Sequence, residues 1–166
     1  MQHSLPHFGE INREQLEEYY SVTTAAGINL DLNFEYARIE VDNAEVLGEW
    51  LNSIEQLDMQ NRAALQQDFE IGEGETREYF RFYIEELQEE RMASLVEGAN
   101  SDQEKAAILL SKLKLRRVGF YPDGKYGTTS YAIFDYTTDI DGWSGDQLLV
   151  VKRDAAREII EIVMES

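Results

Sequence analysis

Two histidines, His3 and His7, and no cysteine make up the chain's whole supply of imidazole and thiol. A Ser-His-Asp triad or a histidine metal cage needs an imidazole set against other named groups, and a thiolate nucleophile or a cysteine-held metal has no ligand here. His7, within His7-Phe8-Gly9-Glu10, is the one candidate acid–base imidazole, but its place just before a first element favours packing or capping. No glycine-rich phosphate loop follows a strand, and no G-x-S-x-G elbow occurs. No catalytic residue and no cofactor is assigned.

Carboxylates are plentiful, with 33 Asp and Glu. Asp139, Asp141 and Asp146 lie in one loop and could offer oxygen ligands to a hard cation such as Ca²⁺. The spacing departs from an EF-hand: glycine comes at the fourth position, and the twelfth is Val150 where a glutamate should close the loop. Short acids also favour turns for reasons unrelated to metal. The alternative function is a metal-assisted hydrolase built on the carboxylates of Asp135, Asp139 and Asp141. Asp135 itself sits in the apolar run Ala132-Ile133-Phe134-Asp135-Tyr136, where alternation puts it on the face of Ile133 and Tyr131. Burial there would raise its pKa, and Arg116 or Arg117 on a neighbouring strand could neutralise it, so a structural ion pair across strands is the expectation.

Net charge is −18. Nucleic acids and anionic lipids are bound through clustered Lys and Arg, so both are disfavoured as partners. Runs such as Glu85, Glu86, Glu89 and Glu90 have two readings: well-solvated helix faces, or electrostatic complementarity to a basic protein partner. Tyr126, in a turn, and Trp143, in a loop, are aromatic side chains expected in solvent, and such residues anchor protein interfaces. The leading functional expectation joins these features: a non-enzymatic, acidic protein-interaction module engaging a basic partner.

The elements that hold these residues follow from pattern. Leu115–Thr137 reads as a central hairpin around Pro122-Asp123-Gly124, in which proline presets φ, aspartate can bond its own backbone and glycine accepts a positive φ. Asn12 and Gln15 suggest a cap for a short helix over 13–19. Tyr20–Thr24 reads as a strand, and Ile28, Leu30, Leu32 and Phe34 alternate with polar residues as a strand with one wet face. Asp42 with Glu45 and a Val41–Val46 staple predicts a helix whose apolar stripe is Leu47, Trp50, Leu51, Ile54 and Leu57. A second helix is expected over 59–69 and a third over 75–96, after Gly72 and Gly74. Ser101 and Glu104 form a capping box opening a fourth helix, with Ala106, Leu109, Leu110 and Leu113 as its stripe. Strands are expected over 147–152 and, in the tail from Ile159 to Met164, where helix and strand signals compete, again as a strand.

Strands at both ends with helices between them predict an α+β fold: a mostly antiparallel sheet, made of an N-terminal hairpin and a C-terminal meander and covered on one face by central helices. The chain, 166 residues long, is read as a single domain. No signal peptide or membrane span is recognised, and with zero cysteine the expected setting is the cytoplasm.

His7-Phe8-Gly9-Glu10-Ile11, Leu16-Glu17-Glu18-Tyr19-Tyr20, Val118-Gly119-Phe120-Tyr121-Pro122-Asp123-Gly124 and Ala132-Ile133-Phe134-Asp135-Tyr136 together resemble a small bacterial family classed as a domain of unknown function. The resemblance spans nearly the whole chain, with gaps in the middle helices. It implies a stand-alone bacterial cytoplasmic protein and transfers no catalytic or binding residue. By analogy with other acidic one-domain proteins, an immunity-type inhibitor of a basic toxin is the form of interaction module expected.

Overall fold

The first hairpin of the computed structural model pairs β1 (Gln2–Leu5) with β2 (Gly9–Asn12), so Asn12, the expected cap of a helix over 13–19, ends a strand. The structure describes residues 1–71, 73–86, 98–140, 143–144 and 147–165. No helix forms over 13–19. Asn12 Oδ1 does accept a backbone N–H, that of Glu14 at 3.1 Å, but it closes a turn there. The following N–H groups bond outward: Leu16 N donates to Ala37 O at 2.8 Å, and Ile39 N donates to Arg13 O at 3.0 Å. Tertiary pairing with the 34–39 loop has displaced a weak local helix signal.

β3 (Tyr19–Thr23) and β4 (Asn29–Asn33) form the next antiparallel hairpin. β5 (Leu113–Phe120) lies parallel to β4, and β6 (Ala132–Ile140), β8 (Leu148–Arg153) and β9 (Ile159–Glu165) continue antiparallel, giving the order β3-β4-β5-β6-β8-β9. A two-residue strand β7 (Trp143–Ser144) pairs with β6. Among the described residues the one parallel pairing is the one that spans the helical segment, as a crossover requires. The fold is thus α+β, with an N-terminal hairpin beside a C-terminal meander.

Register sorts the side chains. Leu30, Val118, Phe134, Val151 and Ile162 stand opposite one another across five strands, and Leu32, Phe120 and Ala132 form part of the next row on that face. Helices cover it. Trp50 meets Phe120 edge-on at 6.3 Å, and Tyr79 Oη accepts the Thr138 N–H at 3.2 Å. Each large apolar side chain withdrawn from water in these rows contributes about 2 kcal/mol. Between Leu115 and Arg117 the β5–β6 register shifts by a bulge, which explains how Leu113 and Leu115 share a face with Val118 and Phe120 despite odd and even numbers.

Four helices lie between β4 and β5 among the described residues: α1 (Val41–Asn52), α2 (Ile54–Ile71), α3 (Glu75–Glu86) and α4 (Asp102–Leu110). Leu47, Trp50, Leu51, Ile54 and Leu57 are all buried as their spacing predicts, but Ile54 and Leu57 belong to α2, which begins five residues before the expected 59. The expected cap of α1 does not form. The helix starts at Val41 behind Glu40, which makes no side-chain cap bond, and Asp42 falls inside the first turn, where its charge still complements the helix dipole. Val41 and Val46 are both exposed, so there is no staple. α3 is instead capped from α2, since Asp68 accepts from the Thr76 N–H at 2.9 Å and from its hydroxyl at 2.6 Å. The part of the expected third helix beyond Glu86 lies outside the described residues. For α4 the capping box holds: the Glu104 N–H donates to Ser101 Oγ at 3.1 Å, and the Glu104 carboxylate takes the Asn100 N–H at 2.6 Å. No helix among the described residues is long and apolar enough to cross a membrane.

Candidate functional site

Asp135 is buried, and its expected partner is present: Arg117 Nη1 donates to Asp135 Oδ2 at 3.1 Å, while Arg116 is exposed. The shorter bonds go elsewhere. Arg117 Nε and Nη2 hold both oxygens of Asp31 at 2.6 and 2.9 Å, a bidentate pair across the parallel strands β4 and β5. Asp31 was expected in water but is 2% exposed. Asn33 Nδ2 adds a third donor to it at 2.6 Å, and Arg117 Nη2 also reaches the Tyr121 hydroxyl at 3.1 Å. Burial holds the Asp135 carboxyl above its ordinary range, with Arg117 pulling it back. For Arg117, burial works against the charge, but the bonds to Asp31 and Tyr121 outweigh it and its pKa is raised.

Gly119 makes this cluster possible. A Cβ there would stand 2.5 Å from Arg117 Nη2 and 3.1 Å from Asp31 Oδ1, so the guanidinium lies in the space a side chain would take. Gly119→Ala is expected to push Arg117 off Asp31 and lower the unfolding free energy by about 2 kcal/mol, the usual size of an overpacking penalty. Urea melts test this. An alanine variant as stable as the parent would show that the guanidinium gives way freely.

Through Tyr121 the buried row connects to one end of the sheet. Asp123 does not bond its own backbone as the turn motif suggests: its carboxylate takes the Glu35 and Tyr36 N–H groups, each at 3.0 Å, and so ties the end of β4 to the β5–β6 loop. Lys125 is buried, with Nζ 3.3 Å from the Glu18 carbonyl, and this ties the start of β3 to the same loop. Tyr19, Tyr36 and Tyr126 are thereby placed at this end, exposed by 55, 66 and 76%, with Glu17, Glu18 and Glu35 exposed among them.

Tyr126 has φ +65°, in the left-handed region that β-carbon-bearing residues avoid. Gly124 at φ +75° and Gly127 at φ +70° flank it, each in a conformation suited to glycine. Holding a tyrosine so costs about 1 kcal/mol. Its ring meets Tyr121 edge-on at 6.4 Å, and Lys125 Nζ lies 5.3 Å from its centre.

The other residues singled out from sequence lie apart from this end or outside the described residues. Glu85 is exposed on α3. Asp141, Asp146, Glu89 and Glu90 are outside the described residues, as are the side chains of Asp139, Trp143 and Glu86. His7 sits in the β1–β2 turn at φ +69° and lines a groove of about 460 Å³ with Thr24, Ile28, Leu51 and Asp58. Among the described residues no group of three or more His, Asp or Glu is placed to hold a metal ion. Tyr19 and Tyr36 had no sequence signal of their own. Only their exposure, Tyr19 at the start of β3 and Tyr36 just after β4, marks them.

No family model, curated protein or solved structure matches the chain.

Proposed function

We propose that the chain is a non-enzymatic protein-interaction module whose tyrosine-bearing, acidic loop end docks a basic protein, in the manner of an immunity-type inhibitor acting on a basic toxin in a bacterial cytoplasm. One observation carries the reading: Tyr126 is kept 76% exposed in a left-handed conformation that an asparagine or glycine would adopt at less cost. An exposed aromatic held at that cost fits a residue kept for contact. The net charge of −18 supports the sign of the partner, and complementary charge would speed encounter. Tyrosine suits the anchor role because it buries a large area with few torsions to freeze.

The product of the adjacent gene is the first partner to assay, by calorimetry at low and high salt. Association is expected to weaken as salt rises. Tyr126→Asn should leave the unfolding free energy unchanged or slightly higher, since asparagine tolerates the left-handed region, yet should cost about 2 kcal/mol of binding, roughly 30-fold in Kd. Binding indifferent to both salt and Tyr126 would remove this reading.

A further inference from the structure

The two edges of the sheet are guarded very differently. β9, at one edge, carries Glu161 and Glu165, which ion-pair with Lys152 at 3.3 and 3.1 Å, and a register irregularity lies where it meets β8. These are the usual devices that blunt an edge. β3, at the other edge, reads Tyr19-Tyr20-Ser21-Val22-Thr23, with no charge, no proline and an unbroken register to β4.

Two bonds settle which way its backbone faces. Phe34 N donates to Glu18 O and Thr24 N donates to Ile28 O, both at 2.9 Å. Antiparallel alternation then turns Glu18, Tyr20, Val22 and Thr24 toward β4 and aims the N–H and C=O of Tyr19, Ser21 and Thr23 outward. Among the described residues those groups have no backbone partner, and all three residues are exposed. This is a template for one more strand.

We infer that β3 binds an extended, lysine- or arginine-bearing segment of a protein partner by strand addition. The inference rests on the interaction reading above and names its mode. Main-chain bonds to Tyr19, Ser21 and Thr23 supply the pairing. Charge selects the occupant: Glu17 and Glu18 stand exposed immediately before the strand, with Lys125 Nζ 3.8 Å from Glu18 Oε2, so an added strand passes the Glu17 carboxylate and one that Glu18 shares with Lys125, with Tyr19 beside them. A second copy of the chain would bring a further −18 to the same edge. A basic strand meets attraction where a second copy meets repulsion.

The probe is an alternating Lys-Val hexapeptide, titrated at low salt into the full chain and followed by amide NMR shifts and hydrogen exchange, with the Glu-Val counterpart as control. Shifts at Tyr19, Ser21 and Thr23, with exchange slowed about tenfold for those three amides, are expected with the basic peptide alone. Ser21→Pro should abolish them while the fold persists, because the Ser21 N–H points away from β4 and an edge position tolerates proline. Ser21→Lys, which keeps the N–H and adds a repelling charge, should weaken them. Shifts confined to Tyr36 and Tyr126 would overturn strand addition and leave the tyrosine surface standing. Equal response to both peptides, no response to either, or edge protection that appears with protein concentration alone would each overturn the inference, the last in favour of a second copy.

Discussion

Replacing Arg117 with leucine is expected to lower the unfolding free energy at pH 7 by about 3 kcal/mol, the cost of leaving buried carboxylates without their cation. Asp31 and Asp135 both lose their guanidinium, and the side-chain exposures of 34% for Arg117, 3% for Asp31 and 11% for Asp135 put the cost at the lower end for such a rupture. Lysine should not rescue it. One ammonium cannot hold both oxygens of Asp31 while reaching Asp135 and the Tyr121 hydroxyl. The deficit should also depend on pH with a definite sign. Asp135 already has a pKa above its ordinary 3.8, through burial and against the pull of Arg117; removing that pull raises it further. Below the raised folded value and above 3.8, the folded variant binds a proton that the unfolded chain does not, so its stability rises as pH falls through that window. Urea melts at pH 7 and pH 5 should therefore show the gap between variant and parent narrowing. A gap that is constant or widens toward acid would mean that Asp135 is not the group left stranded.

That cluster marks the limit of what pattern alone conveys. Strand positions, the capping box at Ser101 and the tail at Ile159 were legible because each rests on local chemistry: β-branched runs, a side-chain cap, an alternation of two. The Arg117–Asp135 pair was legible because both residues lie on one predicted hairpin. Asp31 was not, since its partner is 86 residues away on a strand that lies parallel to its own, and nothing in Leu30-Asp31-Leu32 distinguishes a wet aspartate from a buried one. The doubled arginine between Leu115 and Val118 did carry a signal, a change in the parity of apolar residues, which is the signature of the bulge found there. The turn and loop over 13–18 read as a helix because Asn12 satisfies the same local cue in a turn as at a helix cap, and only contacts with residues 34–39 decide between them. Of the candidate site, Tyr126 was readable from its turn. Tyr19 and Tyr36 join it through Asp123 and Lys125, whose partners lie across the fold.

A second large effect is expected on the helix-covered face, at Asn61. It is fully buried on α2, and its two ends do opposite work: Nδ2 donates to the Tyr136 hydroxyl at 3.1 Å, and Oδ1 accepts from Arg153 Nε at 2.9 Å. Tyr136 in turn donates to Asp58 at 2.7 Å, and burial, reinforced by that carboxylate, raises its pKa. Arg153 is buried too and, among the described residues, meets no carboxylate within ion-pair distance; its other bond is to the Arg157 carbonyl. Burial lowers its pKa accordingly. Asn61→Leu should cost about 3 kcal/mol, most of it from a buried cation stripped of an acceptor and the rest from the bond lost at Tyr136. Combining it with Arg153→Met should give back about 1.5 kcal/mol or more, because the double variant buries no orphaned charge. Chemical denaturation of the parent, the two single variants and the double variant closes the cycle. Strictly additive losses would show that Asn61 fills space on α2 without holding Arg153, and the network between helix and sheet would then have to be anchored by Asp58 and Tyr136 alone.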